Sequence, residues 1–323
     1  MSNLILGVEI GGTKLQLAVG TPEGEILGVH QGRVEPAQGG AGIREWLAEE
    51  IPSFLEAQAQ KVSAIGCGFG GPLHTPSGRV LQSIQIDGWH DFPVRDWFED
   101  TFHLPTTVDN DSNAAAWGEY KRGFGRGCRY FFYTNMGSGV GGGLVLDGKL
   151  HDGQGYGAGE FGHTWVPDWT QDEPGAAEII EDICSGWSIE KRLRTPGYVP
   201  EESALFTRFE GDLKKVTARN LAEAARAGDA FALVEIDCIA ESMGIGLANV
   251  LSLTGVERIA VGGGVAMMGD LLIDRIRKYT KQHEFVSSTG HYEISACELG
   301  EQIVLVGAIL RAGERFGGLE RGL

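Results

Sequence analysis

Residues 4–20 read LILGVEIGGTKLQLAVG, in which an apolar run breaks at two glycines and then resumes. This pattern predicts two strands, Leu4–Val8 and Leu15–Val19, on either side of a tight turn at Gly11–Lys14. A short TPEG turn follows and leads into a third predicted strand, Glu25–Val29. Because glycines at a strand end let backbone N–H groups approach phosphate oxygens, the first turn is a candidate phosphate loop.

The same order of elements returns later in the chain. Tyr130–Asn135 is a predicted strand, Gly137–Gly139 a glycine-rich break, and Val140–Leu146 a second strand. An Asp-Gly turn then leads to a third predicted strand at Lys149–His151. Two copies of strand, glycine turn, strand, tight turn and strand favour a duplicated, two-lobed fold with a ligand between equivalent turns. Two unrelated β-hairpins are the alternative that this pattern alone leaves open.

Helices are predicted wherever apolar residues recur with helical spacing. Strands and helices alternate after the opening hairpins, which predicts an α/β fold. One further strand is predicted at Ala64–Gly68 and another at Arg258–Val261. The predicted helices are Ile43–Gln58, Val94–Thr101, Asn113–Tyr120, Ile179–Leu193, Ala218–Ala227, Ala230–Ser252, Leu271–Lys281 and Ile303–Arg315.

The composition is that of a globular protein with room for two hydrophobic cores. The chain has 323 residues, of which 42% are hydrophobic and 22% are charged, and a chain of this length commonly forms two compact units. The formal net charge of −17 would repel a phosphate backbone, so we expect no nucleic-acid partner. ATP stays compatible with this charge, because local N–H groups and Mg²⁺ hold a nucleotide.

The sequence carries no sign of export or of a membrane partner. The first residues, MSNLILGVE, lack a basic region and a cleavage site, so no secretory signal is expected. No stretch approaches the roughly 18 uninterrupted apolar residues of a membrane span. The five cysteines are scattered and never spaced as Cys-x-x-Cys, which predicts neither a disulfide framework nor a cysteine zinc site. We therefore expect a cytoplasmic protein.

Glycine clusters mark two more places where a ligand can approach the backbone. Residues 134–143 read TNMGSGVGGG, which is more glycine than a tight hairpin needs. Gly262, Gly263 and Gly264 follow an apolar strand and precede a helix, where a ribose or base can lie against the chain. A generic strand–helix turn explains this third cluster equally well. None of the clusters has the Gly-x-x-x-x-Gly-Lys spacing of a P-loop.

Polar residues gather at the predicted start of the helix near residue 113. The segment is Asp109-Asn110-Asp111-Ser112-Asn113. One of these side chains is expected to cap the helix, and capping alone would account for several of them. Phosphoryl transfer to an alcohol needs a carboxylate near the attacking hydroxyl, and Asp111 is a candidate by type and position.

Glu160 and His163 lie three residues apart between glycines, in the segment GAGEFGH. A carboxylate and an imidazole so placed suit recognition of adjacent sugar hydroxyls. A metal site or an ordinary polar turn are the alternatives that remain open.

Taken together, these motifs resemble those of the ROK family, the repressors, open reading frames and sugar kinases of the actin-like ATPase (ribonuclease H-like) fold. The resemblance runs from residues 4–14 to residues 307–310. Its most specific parts are residues 110–115 (NDSNAA), 137–143 (GSGVGGG) and 159–163 (GEFGH). It implies a duplicated α/β fold with nucleotide and sugar in the cleft. It also implies a small lobe of residues 1–115, completed by residues 301–323, and a large lobe of residues 116–300.

The resemblance implies a role for each group of site residues. Asp111 would be the catalytic base, and ATP and Mg²⁺ would be the cofactors. The residues expected to bind ATP phosphates or adenosine are Gly11, Gly12, Thr13, Lys14, Gly137, Ser138, Gly139, Gly262, Gly263 and Gly264. The residues expected to bind the sugar are Gly71, Asn110, Asp111, Glu160, His163 and Glu181.

Two departures from the family pattern matter. Glu9 stands where the family often has Asp, and its longer carboxylate could reach Mg²⁺ through water. Many family members also bind a structural zinc through three cysteines after the Gly-His motif, but residues 164–178 contain no cysteine, so we predict no zinc site here. We expect packing to hold this segment instead, through Trp165, Pro167 and Trp169, and the placement of Glu181 then depends on this packing.

The resulting hypothesis is ATP-dependent phosphorylation of a hexose at its primary hydroxyl, with glucose as the first choice. Fructose, mannose or an N-acetylhexosamine is the alternative substrate, and polyphosphate the alternative donor. A sugar-sensing protein without catalysis is a second class, and another actin-like ATPase such as a chaperone a third. A DNA-binding family regulator is disfavoured by the acidic charge and by the first strand beginning at residue 4. The resemblance suggests a homodimer.

Overall fold

The computed structural model describes residues 4–58, 61–83 and 86–317. Its strands, in chain order, are β1 (Leu4–Ile10), β2 (Lys14–Gly20), β3 (Ile26–Arg33), β4 (Val62–Phe69), β5 (Leu73–His74), β6 (Arg79–Val80), β7 (Thr106–Asn110), β8 (Phe131–Met136), β9 (Val140–Leu146), β10 (Lys149–His151), β11 (Trp165–Pro167), β12 (Ala177–Ile179), β13 (Arg258–Gly262) and β14 (Glu293–Ala296).

The helices alternate with these strands, as predicted for an α/β fold. They are α1 (Gly39–Ala57), α2 (Val94–Phe102), α3 (Asp111–Arg122), α4 (Ile180–Cys184), α5 (Gly186–Leu193), α6 (Ala204–Arg208), α7 (Ala218–Arg226), α8 (Ala230–Thr254), α9 (Asp270–His283) and α10 (Ile303–Phe316). No helix in the described ranges combines the length and the apolar character that crossing a bilayer would require.

Two five-stranded sheets have the same topology. The first has the order β3-β2-β1-β4-β7, and the second has the order β10-β9-β8-β13-β14. In each sheet the first three strands along the chain are antiparallel, and the last two run parallel to the first. The duplicated α/β fold predicted from the repeated strand–glycine–strand pattern is therefore confirmed.

Strand β1 is the central strand of the first sheet and is buried on both faces. Such a strand reads as a nearly continuous apolar run, which is why LILGVEI lacks clear alternation. On one face Leu6 and Val8 pack in a cluster with Leu47 of α1. On the other face Ile5 packs with Ile309 of α10. The C-terminal helix α10 therefore contributes to the core beneath the N-terminal sheet.

Helix α3 joins the two halves of the molecule. It packs against α10 and β4 and also against β8 and β9 of the second sheet. The predicted lobe boundary between residues 115 and 116 falls inside this helix, and the division of the chain into lobes stays a prediction. Residues 318–323, which belong to the predicted C-terminal segment, lie outside the described residues.

The predicted single helix Ile179–Leu193 is wrong. The structure has a short strand, then α4, and then α5, with the break at Ser185. The Ser185 hydroxyl accepts a hydrogen bond from the Ser188 N–H (3.1 Å), so this serine caps α5. The N–H of Gly186 donates to the Gly137 carbonyl (2.7 Å). The chain turns here to bring α5 against a glycine-rich turn of the second sheet, a long-range contact that helical periodicity does not reveal.

Candidate active site

A cavity of about 530 Å³ lies where strands of both sheets end. Its wall includes the carboxylates of Glu9 and Asp111, the Lys14 ammonium and the polar side chains of Ser112 and Asn135. The remaining lining residues are Ala115, Tyr133, Val261, Gly262, Gly263, Gly264, Ala266, Met267, Gly269, Ala296, Cys297, Gly300, Glu301, Ile303 and Val304. A concave site with a few converging polar groups is the usual form of a small-molecule site.

Asp111 is the first residue of α3, and Asn110 is the residue that caps this helix. The Asn110 Oδ1 accepts hydrogen bonds from the N–H groups of Ser112 (2.9 Å) and Asn113 (3.2 Å). The Asn110 Nδ2 donates to the Gly71 carbonyl (3.3 Å), which ties the turn after β4 to the helix start. Because Asn110 supplies the cap, the Asp111 carboxylate is available for another task.

The pKa of Asp111 is raised to about 6, mainly by burial and in smaller part by the negative charge of Glu160. Hydrogen bonds from Ser112 oppose this rise, with its N–H 2.7 Å and its hydroxyl 3.3 Å from Asp111 Oδ1. Within the described ranges no hydrogen bond reaches Oδ2, which lies 3.2 Å from the position that a Cβ on Gly70 would occupy. Asp111 therefore offers one anchored and one accessible oxygen at a pKa suited to a general base.

Glu9 is the penultimate residue of the buried strand β1 and lines the same cavity. Its pKa is raised to about 7, first by burial, which the nearby Lys14 opposes and the charges of Asp111 and Glu301 reinforce. The Lys14 Nζ lies 3.8 Å from Glu9 Oε2. That oxygen is buried and has no hydrogen-bond partner among the described residues. A carboxylate oxygen left without a protein donor is the kind of group that a hydrated Mg²⁺ satisfies.

The first glycine turn is held closed by its own backbone. The Gly11 N–H donates to the Lys14 carbonyl (3.0 Å), and the Gly70 N–H donates to the Ile10 carbonyl (2.7 Å). The Thr13 side chain is exposed. The turn thus leaves Thr13 exposed next to the cavity-lining Lys14.

The second glycine turn lies at the equivalent place in the second sheet. The Gly137 N–H donates to the Gly139 carbonyl (2.9 Å), and Ser138 between them is exposed. Asn135 precedes the turn, and its Oδ1 accepts from the Gly141 N–H (3.1 Å). The sequence interpretation did not single out Asn135, although a polar residue at the end of β8 was a usable signal.

The third cluster, Gly262–Gly264, ends β13 and lines the cavity. Gly263 has φ of +87°, and a Cβ there would lie 2.5 Å from the backbone of Met136. Any larger residue would be both strained and too close to the second glycine turn. Met267 follows this cluster, is 76% exposed and lines the cavity, which gives the site an apolar surface.

Among the residues predicted to bind the sugar, Asp111 lines the cavity, and Gly71, Asn110, Glu160, His163 and Glu181 are not among its lining residues. Glu160 and His163 are exposed, and the His163 N–H donates to the Glu160 carbonyl (3.1 Å) within a single helical turn. Glu181 is held in place, because its Oε2 accepts from the Val140 N–H (2.8 Å) at the start of β9. Glu160 is close enough to raise the pKa of Asp111, so both carboxylates belong to one electrostatic site.

The cysteine-free segment 164–178 forms the hairpin β11–β12 and is held by packing. Val166 is buried, and the Trp169 Nε1–H donates to the Ser242 hydroxyl (3.1 Å). The Arg192 guanidinium lies 5.0 Å from the Trp169 ring centre. Trp165 is 65% exposed, so the expected packing role belongs to Trp169 and not to Trp165. Pro167 is exposed as well.

Known proteins share this arrangement over almost the whole chain. A family model described as "ROK family" matches residues 5–314. A glucokinase of Halalkalibacterium halodurans is 31% identical over 98% of this chain and 97% of its own length. A glucokinase of Streptomyces coelicolor is 32% identical over 94% of this chain and 96% of its own length. A solved ROK family glucokinase from Streptomyces griseus, in complex with glucose and AMPPNP, has a TM-score of 0.82 and 32% identity, covering 97% of this chain and 100% of that one.

Proposed function

This chain belongs to the ROK family and is an ATP-dependent sugar kinase with the actin-like ATPase fold, and we propose that its sugar is glucose. The observation that carries the catalytic assignment is Asp111, a carboxylate at a helix start with one oxygen anchored by Ser112 and the other accessible. The two glucokinase relatives at 31% and 32% identity support glucose over other hexoses.

In this proposal Asp111 accepts the proton of the glucose primary hydroxyl as that oxygen attacks the γ-phosphorus. The anchored Oδ1 keeps the carboxylate oriented, and Oδ2 takes the proton. A base with a pKa of about 6 is ionised at neutral pH and still basic enough to assist proton transfer. Closure of the two halves around the substrates would exclude water that competes with the sugar.

We assign the phosphates to the two glycine turns, with Gly12, Thr13 and Lys14 on one side and Gly137–Gly139 on the other. Backbone N–H groups at strand ends suit phosphate oxygens. Adenosine is assigned to Gly262–Gly264, three glycines whose backbone lines the cavity.

We propose Glu9 as the residue that holds Mg²⁺ through water, because its Oε2 is buried and has no hydrogen-bond partner among the described residues. Bound there, the ion would neutralise negative charge on the phosphates. Lys14 beside Glu9 adds a further positive charge to the same region.

We propose that the sugar is held by the groups around Asp111. Asn110 keeps the Gly71 turn next to the base through its 3.3 Å hydrogen bond. Glu160 and His163 are exposed, and the Glu160 charge raises the pKa of Asp111, so we assign both side chains to the sugar hydroxyls. Glu181 has one oxygen on the Val140 N–H, which would leave the other for the sugar. We further propose that the protein is cytoplasmic and homodimeric, and sedimentation of the purified chain tests the latter.

Mg·ATP turnover measured by ADP release is expected to depend on the sugar supplied. Glucose is expected to give the highest kcat/KM in a panel that also contains fructose, mannose, N-acetylglucosamine and N-acetylmannosamine. Hexoses that differ by one substituent are separated by about 10–200-fold when a pocket only fits shape. A clear preference for an N-acetylhexosamine would refute glucose and leave the kinase assignment intact.

The kcat/KM for the sugar is expected to fall as the pH is lowered through the pKa of Asp111. Because the base acts only when ionised and its pKa is about 6, activity drops by about tenfold for each pH unit below that value. Glu9, with a pKa of about 7, adds to the loss when Mg²⁺ is scarce. The profile is measured between pH 5 and 9 at two Mg²⁺ concentrations, and a flat profile would contradict the role of Asp111.

A further inference from the structure

Ser112 stands between the candidate base and the glycine turn of the opposite sheet. It is only 8% exposed, and its hydroxyl oxygen lies 3.3 Å from Asp111 Oδ1 and 3.1 Å from Asn135 Oδ1. A Cβ on Gly141 would collide with this hydroxyl, so glycine at position 141 makes the approach possible. Asp111 lies on the helix after the first sheet and Asn135 on the second sheet, which makes Ser112 a connection between the two halves.

The two oxygens around the Ser112 hydroxyl are competing acceptors. A serine hydroxyl has one proton to donate. The Asn135 Oδ1 already accepts from the Gly141 N–H (3.1 Å), which fixes this atom as the oxygen of the amide. An ionised Asp111 is acceptor-only as well. The single proton of Ser112 can therefore satisfy Asp111 or Asn135, but not both at once.

We propose that Ser112 is a positioning residue whose hydroxyl donates to Asp111 while this base is ionised and turns to Asn135 once the base is protonated. The inference rests on the proposed role of Asp111. A hydrogen bond to a charged acceptor is stronger than one to a neutral acceptor. Before the reaction, the Ser112 hydroxyl therefore donates its hydrogen bond to the ionised carboxylate. When Asp111 Oδ2 has taken the proton of the sugar hydroxyl, the carboxyl is neutral and Asn135 becomes the better acceptor. The Ser112 proton stays on its own oxygen throughout.

This arrangement gives the base a partner that favours its ionised form. Other charges act on Asp111 too, namely Glu160 from the turn after β10, and Glu9 with its neighbour Lys14 from the first sheet. These groups are unchanged when Ser112 or Asn135 is replaced. A change in the acid limb of the pH profile in Ser112→Ala therefore reports on the loss of the hydroxyl.

The test is the pH dependence of kcat/KM in Ser112→Ala, with Ser53→Ala as the matched control. In Ser112→Ala the acid limb is expected to move upward by about one pH unit, because a hydrogen bond to the ionised base is lost. At pH 6 the loss would then be about fivefold, and near pH 9 it would shrink to less than about threefold. Ser53 is exposed, with its hydroxyl on the Glu49 carbonyl (3.0 Å), so its replacement should leave the profile unchanged.

Asn135→Ala is expected to shift the acid limb in the opposite direction. Without the competing acceptor the Ser112 proton stays on Asp111, and the acid limb is expected to move to lower pH, whatever the effect on kcat. Ser112→Thr keeps a hydroxyl and should return the limb towards its original position. An equal loss of activity at every pH in Ser112→Ala, or an unshifted limb in both variants, would overturn the proposal.

A direct titration separates this inference from the proposed function. The carboxyl ¹³C signal of Asp111, assigned by its disappearance in Asp111→Asn, reports the pKa of this group in wild type and in Ser112→Ala. If the wild type phosphorylates no hexose, the proposed function fails, and the titration still decides the role of Ser112. If Asp111→Asn keeps full activity, Asp111 is not the base, and Ser112 then has no base to position.

Discussion

Replacing Asp111 with asparagine is expected to lower kcat by about 10²–10⁴-fold, the usual contribution of a positioned general base. Asparagine keeps the size of the side chain and an oxygen that can accept from Ser112, but it cannot take the proton of the sugar hydroxyl. The KM for the sugar is expected to change much less, because the loss falls on the transition state. Steady-state ADP release at saturating Mg·ATP measures both constants.

The matched control is Asp100→Asn, which removes one carboxylate from the exposed face of α2. It has the same effect on net charge and should retain wild-type kcat. Asp111→Asn with a kcat within about threefold of wild type would mean that the sugar hydroxyl loses its proton elsewhere, and it would remove the basis for a role as general base.

Protein stability provides a second control on the same variant. The pKa of Asp111 is raised from 3.8 to about 6, so the folded state disfavours the ionised form. The contribution of Asp111 to the free energy of unfolding is fully present below the pKa of the unfolded state. It is lost as the pH rises through 6, and the loss is at most about 3 kcal/mol. Water in the cavity reduces this figure. Asp111→Asn should therefore melt at or above the wild-type temperature at pH 8, and a loss of activity cannot then be attributed to unfolding.

The duplicated fold could be predicted because its signal is local. The first glycine turn breaks an apolar run at a strand end, and the same pattern returns around Gly137. Turn chemistry and strand periodicity depend on a few neighbouring residues, so both hairpins were predicted close to their observed bounds. The position of Asp111 at a helix start could be predicted for the same reason, since a polar cluster before a helical pattern marks a helix start.

The rest of the site depends on contacts between distant segments. Cys297 and Glu301 line the cavity beside Glu9, but nothing in their own sequence neighbourhood indicates it. The break at Ser185 has a similar cause, because Gly186 must reach the Gly137 carbonyl. Trp165 and Trp169 look alike in the sequence, yet only Trp169 finds a partner, the Ser242 hydroxyl on α8. Hydrophobic patterning identifies which residues can pack, but it does not identify the residues they pack against.

Replacing Gly307 with alanine is expected to destabilise the protein by about 1–3 kcal/mol, the usual cost of adding a methyl group to a packed interior. A Cβ at this position of α10 would overlap the Ala114 carbonyl oxygen of α3. At the same crossing, a Cβ on Gly118 of α3 would lie 2.7 Å from the Ile303 carbonyl oxygen. Both helices approach backbone to backbone here, so the methyl group must push α10 away from the helix that carries Asp111. Thermal unfolding should show a Tm lower by about 3–8 °C.

The direction of the Tm change in Gly307→Ala distinguishes a steric clash between the helices from an effect of helix propensity. In an unpacked helix, Gly→Ala stabilises by about 1 kcal/mol through backbone entropy, so helix propensity alone predicts a higher Tm. Gly264→Ala is the control for stability, since a Cβ there has no atom within 4 Å and the φ is not left-handed. That variant should melt within about 1–2 °C of wild type, as expected of a substitution in open space. A Gly307→Ala protein that melts at or above the wild-type temperature would show that α3 and α10 are not in backbone contact.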